Sequence, residues 1–370
     1  MPIPMVDLPK IHAPYQGALD EAVLSVVHGG GYIGGPVVAA FEKQAASFLD
    51  APIIGVGNGT DALQIALMSL GIQPGDEVIV PAFTYAASAE VIALLGAVAV
   101  WCDVNDSTFT IDPNSVKDVL SDKTAAIIAV HLYGQCADIE SLEKIATGIP
   151  IVEDTAQAFG AKFIKGKYSG RFAGTVGAFG TFSFFPTKNL GALGDGGAIS
   201  STNADFLVKA KSIASHGQRK KYEHHVLGLN SRLDPIQAAA LAVKLKFLPE
   251  ALSTKTLISE QYLAAFQPLK QVVVPETASF SNHTYHQFTL TIPSEKRDGF
   301  AEYMREEGIS TMVYYPIPLH KQKAYAHFGY KQGDLPITEE LSQRVLSLPI
   351  HTEMNNETQD YIIKTVMSCV

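Results

Sequence analysis

GTFSFFPTKNLGALGDGG, residues 180–197, places Lys188 among aromatic, small and glycine residues, with no neighbouring charge before Asp195. A solvated lysine titrates near about 10.4, whereas one held among apolar groups gives up its proton more readily and can attack a carbonyl carbon. The stretch therefore reads as a setting for Schiff-base chemistry. Taken alone, it also suits an ordinary surface lysine on a loop. The segment IPIVEDTAQAFGA, about 34 residues upstream, argues for the working lysine. Its apolar run at 149–152 ends in Glu153 and Asp154, at the carboxyl end of a strand. Open α/β sheets bind ligands along that edge.

Pyridoxal phosphate (PLP) needs a lysine for its aldehyde, an acid for its ring nitrogen and donors for its phosphate. Asp154 suits the second role, because a carboxylate there keeps the nitrogen protonated and lets the ring draw electrons from a carbanion. Without Lys188 it would read as a helix cap. The third role falls to VGNGTDALQIALMSLG, residues 56–71. Gly57 and Gly59 allow close backbone approach, Thr60 offers a hydroxyl and Asp61 an amide, and the apolar stripe that follows marks a helix. A helix N-terminus favours a dianion, although the pattern also fits a plain turn and cap. In DEVIVPAFTYAASAE, Phe83 and Tyr85 follow a short strand, and one of the two can stack on a pyridine ring while the other packs in the core. Ser183, five residues before Lys188, can add a hydroxyl to the phosphate.

With these four segments the chain closely resembles the DegT/StrS-type PLP-dependent sugar-nucleotide aminotransferases, members of the aspartate aminotransferase fold (PLP fold type I). Further stretches carry the likeness over nearly the whole length: GGGYIGGPVVAAFE, HLYGQCADIESL, HGQRKKYEHHVLGLNSRLDPIQAAAL and VYYPIPLHKQKAY. The resemblance implies an α/β large domain with a mostly parallel seven-stranded sheet, residues 1–247, and a smaller α+β C-terminal domain, residues 248–370. It implies that Lys188 carries the cofactor's aldehyde, that Asp154 pairs with the ring nitrogen, that Gln157 contacts the O3′ side and that Tyr85 stacks on the ring. Gly59, Thr60 and Ser183 would hold the phosphate, with Asn230 reaching it from the neighbouring subunit of a homodimer with shared active sites. Tyr32, Arg219, Arg232, Tyr315 and His320 are the expected substrate contacts, Arg232 meeting an anion and His320 standing at a stiff loop tip.

The reaction expected from the resemblance is transamination in two half-reactions, with L-glutamate as amino donor and a nucleotide-linked keto sugar as acceptor, for surface polysaccharide or lipopolysaccharide biosynthesis. GQCADI, HGQRKKY, NSRLD and YYPIPLHKQ look most like the branch acting on 3-keto sugars, including UDP-linked 2-acetamido-3-keto-glucuronate. A dTDP-linked 3-keto-6-deoxyhexose and a 4-keto sugar are the alternatives. Outside catalysis the alternative is a PLP-binding regulatory protein. A sugar dehydratase on the same fold has another base, usually histidine, where this chain has Lys188.

Composition is consistent with a cytoplasmic enzyme. A chain of 370 residues with 47% hydrophobic content can bury one large core and a smaller one. Lys and Arg number 28 against 37 Asp and Glu, a net charge of −9, which disfavours nucleic-acid and membrane-surface partners. Cys102, Cys136 and Cys369 have no metal or redox spacing, the histidines fit no zinc motif, and no leader or bilayer-spanning run is evident. No metal is expected. Strands are expected near 77–80, 97–103, 125–130, 150–153, 180–184 and 198–201, alternating with helices. From about residue 248 the pattern changes to a helix at 257–266, a strand in YHQFTLTI, a helix in RDGFAEYMREEG, a strand at TMVYY and a final helix.

Overall fold

A computed structural model describes residues 2–369. Seven strands form its main sheet: β1 (Ile53–Val56), β2 (Glu77–Pro81), β3 (Val98–Cys102), β4 (Thr124–Val130), β5 (Ile151–Asp154), β6 (Phe179–Ser183) and β7 (Gly197–Ser200). Their spatial order is β1-β7-β6-β5-β4-β2-β3, and β7 alone runs antiparallel to its neighbours. Helices cover both faces, so the strands are near-continuous apolar runs and not alternating ones. Val78, Ile79 and Val80 of β2 are fully buried, as are Ile127, Ile128 and Ala129 of β4.

The helix Gly59–Leu70 shows how local chemistry places an element. Asn58 caps it by accepting the Asp61 N–H at 2.8 Å, and Ala62, Leu63, Ile65, Ala66 and Leu67 face the core. Gly71 ends it at φ 88°, a left-handed conformation that suits glycine. Its N-terminus consequently meets the carboxyl ends of the parallel strands, where β5 delivers Asp154 and β6 delivers Ser183.

Two small sheets complete the chain: β8 (Gln218–Lys220) with β9 (Glu223–His224), and β10 (Phe288–Thr291) with β11 (Val345–Leu348). The latter pair packs with the helices Ser294–Glu306 and Asn356–Cys369 in a core that includes Phe288, Phe300, Met304, Ile362 and Val366. The helix Pro235–Phe266 serves two cores. Leu241, Leu245 and Leu248 pack beside Phe41 and Phe184, while Ile258, Tyr262 and Phe266 join the core around Phe288. The division expected at 247/248 therefore lies inside one 32-residue helix, which continues through Pro249.

The strand assignment differs from the sequence reading at three places. The strand at TMVYY is a single bridge from Met312 to Ser347. The strand that pairs with β10 is β11, which was not anticipated because RVLSLPI continues the apolar pattern of the preceding helix. β1 was also missed, being four residues long at the edge of the sheet. No described helix is long and apolar enough to cross a membrane.

Candidate active site

Lys188 stands in a turn five residues beyond β6, its N–H donating to the Phe185 carbonyl at 2.8 Å. It is half-buried. Loss of water around the ammonium pushes its pKa down to about 8, against the opposing pull of Asp154. A large fraction is thus neutral and nucleophilic at mildly alkaline pH.

Asp154 closes β5 and is 5% exposed. Its carboxylate is held from two sides: Ser88 Oγ donates to Oδ2 at 2.8 Å and the Ala156 N–H donates to Oδ1 at 3.1 Å. Gln157, also buried, accepts the Tyr133 N–H on Oε1 at 2.7 Å and donates from Nε2 to the Tyr315 hydroxyl at 3.0 Å. The Tyr133 amide can only donate, so the orientation of the Gln157 amide is fixed and one Nε2 proton is left for a ligand. Burial raises the pKa of Tyr315 well above that of a free phenol.

At the phosphate end, a Cβ on Gly59 would lie 2.7 Å from Ser183 Cβ, so only glycine lets the helix start sit against the end of β6. The first amides of a helix have no intrahelical acceptor and point toward this junction. Asp61 is a correction here. Its amide is taken by the Asn58 cap and is not free for a ligand.

Of the two aromatics after β2, Phe83 is core, 1% exposed, and Tyr85 is 62% exposed with its ring 6.2 Å from that of Tyr315. The donor set fits PLP: a half-buried amine, a buried and hydrogen-bonded carboxylate, an oriented amide, an accessible aromatic ring and a glycine-opened helix start.

Other expected residues stand apart from this network within one chain. Tyr32 is 49% exposed and donates to the Val27 carbonyl at 3.0 Å. Arg219 is exposed on β8, Asn230 is exposed and Arg232 is half-buried. The segment of the last two runs beside the phosphate loop, where Ser231 Oγ accepts the Gly57 N–H at 2.9 Å. His320 is the second correction: it does not stand at an exposed loop tip but is 3% exposed, with Nε2 3.1 Å from Glu339. Sequence reasoning missed Ser88, the Tyr133 amide and Asn58. Ser88 lies 66 residues from Asp154, and nothing local marks it as a partner.

Residues 16–367 match the family described as the DegT/DnrJ/EryC1/StrS aminotransferase family. A pleiotropic regulatory protein of Geobacillus stearothermophilus is 42% identical, over 99% of this chain and 98% of its own length. The UDP-2-acetamido-2-deoxy-3-oxo-D-glucuronate aminotransferase of Pseudomonas aeruginosa is 39% identical, over 94% of this chain and 95% of its own. Among solved structures, S. venezuelae DesV in complex with a ketimine intermediate superposes with a TM-score of 0.95 at 36% identity, covering 99% of this chain and 98% of that one.

Proposed function

The chain belongs to the DegT/DnrJ/EryC1/StrS aminotransferase family and is a PLP-dependent aminotransferase; from that premise we propose that it transfers an amino group from L-glutamate to the C3 keto group of a nucleotide-linked hexose. The observation that carries the reading is Lys188, a half-buried amine with its pKa lowered to about 8 beside the held carboxylate of Asp154. When bound, PLP supplies a carbonyl that condenses with amines and a ring that accepts electrons from the adjacent carbon.

The residues divide the work. Asp154, oriented by Ser88 and the Ala156 amide, would hold a proton on the ring nitrogen. Gln157, oriented by Tyr133 and Tyr315, would have its free Nε2 proton to offer the O3′ side. Gly59, Thr60 and Ser183 hold the phosphate dianion at the helix start. Lys188 would take the proton from the donor's Cα in the first half-reaction and deliver a proton to one face of the sugar carbon in the second.

The β8–β9 arm supports a homodimer with shared sites. Tyr222 is 79% exposed and Leu227 88% exposed beside the basic Arg219 and Lys220, a surface that suits a second copy and a nucleotide diphosphate better than water. Sedimentation showing an active, PLP-loaded monomer would refute the dimer. The acceptor class follows the Pseudomonas relative, and surface polysaccharide biosynthesis would consume the product.

The regulatory name of the Geobacillus relative motivates a second reading, a PLP-binding regulator whose catalysis is incidental. One experiment addresses both. PLP-loaded protein is mixed with a panel of UDP- and dTDP-linked 3-amino and 4-amino sugars, and the cofactor absorbance is followed. Loss of the band with UDP-linked 3-amino sugars supports the proposal, loss only with a dTDP-linked deoxysugar or a 4-amino sugar moves the substrate, and no loss with any favours the regulator.

A further inference from the structure

A cavity of about 240 Å³ opens between the N-terminal segment, the helix Pro235–Phe266 and the loop at 350–353, with Lys188 on one wall. Lys244 and Lys255 also line it. Neither has a carboxylate partner among the described residues. Lys244 Nζ donates to the Gly191 carbonyl at 2.8 Å and lies 2.8 Å from His12 Nε2, while Lys255 Nζ donates to Asn189 Oδ1 at 3.0 Å. Lys244 is 7% exposed, so its charge is desolvated with no counter-ion.

The second observation is independent. His351, which also lines the cavity, is 4% exposed, and neither of its ring nitrogens has a hydrogen-bond partner among the described residues. Buried polar nitrogens are nearly always hydrogen-bonded, so an imidazole with both unpaired calls for a partner. Burial pushes Lys244 and Lys255 down to about 8 and His351 to about 4, with the Lys255 charge acting on His351. An anion would relieve all three. The acids nearby do not fill this role: Glu250 and Glu353 are exposed at the rim, and Asp7, which acts on His351, is paired with Lys10 at 3.1 Å.

Leu8, Ile11, Phe247 and Leu252 form the remaining walls, which suits a carbon chain better than a bare inorganic ion. We propose that this cavity binds a small aliphatic carboxylate, its anionic group taken by Lys244, Lys255 and His351. The occupant would sit one residue from the reacting amine, because Asn189 follows Lys188 and accepts from Lys255. The amino donor and its oxo-acid product belong to this ligand class, yet the cavity stands on its own geometry and not on the transamination reading.

The test is calorimetric titration of the PLP-loaded protein with glutarate, which has neither amine nor keto group to react, and with inorganic phosphate. Glutarate is expected to bind, phosphate to bind about tenfold or more weakly, and Lys255→Met to weaken glutarate by about tenfold or more. His351→Gln, of similar size and still polar, is expected to weaken it as well and guards against a folding defect in the first variant. The proposal is overturned if glutarate does not bind, if both folded variants bind it as the parent does, or if phosphate binds as tightly. It is equally overturned if Lys188→Ala abolishes glutarate binding while Lys255→Met retains it, which would put the ligand at the reacting centre.

Discussion

Glu153→Gln should destabilise the protein far more than a change of one atom suggests. Glu153 precedes Asp154 on β5 and is fully buried, as is its partner His131. Its Oε1 accepts the Val176 and Gly177 N–H groups at 2.8 and 2.7 Å, and its Oε2 accepts the Gly174 N–H at 2.9 Å. His131 Nδ1 accepts the Ala137 N–H at 2.8 Å, which leaves Nε2 as the protonated nitrogen that donates to Oε2 at 2.8 Å. Four donors thus converge on one carboxylate.

An amide offers one oxygen, which can serve one pair of these donors, and turns N–H groups toward the other pair. Two lost charge-assisted hydrogen bonds at about 1.5–3 kcal/mol each give a destabilisation of about 3–6 kcal/mol. That is a large part of a total stability of about 5–15 kcal/mol. With a urea m-value of about 3 kcal/mol/M, the unfolding midpoint should fall by about 1–2 M. Urea denaturation followed by circular dichroism measures it directly. A midpoint within about 0.3 M of the parent's, on the same scale, would refute the claim that this carboxylate ties the 174–177 loop and His131 to β5.

Replacing Asp154 by Asn removes the charge beside a buried pyridinium. By analogy with a broken buried ion pair at about 3–5 kcal/mol, the half-reaction should slow by roughly two to three and a half orders of magnitude. A near-normal rate in stopped-flow absorbance would remove Asp154 from its role. Ser88→Ala deletes one hydrogen bond to that carboxylate, and kcat should drop about tenfold or more while KM for the sugar holds; an unchanged kcat would make Ser88 a packing residue. Cofactor-free protein should gain stability between about pH 7 and 9, by about 1 kcal/mol for each of Lys188, Lys244 and Lys255. The folded forms of these lysines lose their protons near 8 and the unfolded forms near 10.5, so the unfolded chain binds more protons across this window and stability rises with pH. Above about 9 the gain is opposed by Cys102 and Cys136, whose thiols burial holds protonated. Flat or falling melting temperatures over the window would contradict the burial of the three lysines as charged groups.

The candidate reactive centre was legible in the sequence, because the chemistry that suggests it is written locally. Lys188 among apolar neighbours, Asp154 at a strand end, and Gly59 and Thr60 at a glycine-flanked helix start are each ambiguous alone and gain their reading in combination. The central parallel strands were legible for the same reason, since a strand buried on both faces is a run of apolar residues between turns. Elements whose identity depends on distant partners were not. β11 is a strand because β10 lies beside it, whereas TMVYY makes a single bridge to β11, from Met312 to Ser347. The helix Pro235–Phe266 continues past Pro249 because its two halves are each buried in a different core.

Only tertiary structure decided how the site residues are held. The Ser88 hydroxyl on Asp154, the Tyr133 amide on Gln157 and the Asn58 side chain that claims the Asp61 amide are contacts made by folding. His320 was read outward and packs inward for the same kind of reason. The cluster of Lys244, Lys255 and His351 has no signature in the chain, where its members are scattered over more than a hundred residues. Short-range chemistry is encoded by neighbours in sequence; burial, and the pKa shifts and unpaired atoms that follow from it, is a property of what the whole chain excludes from water.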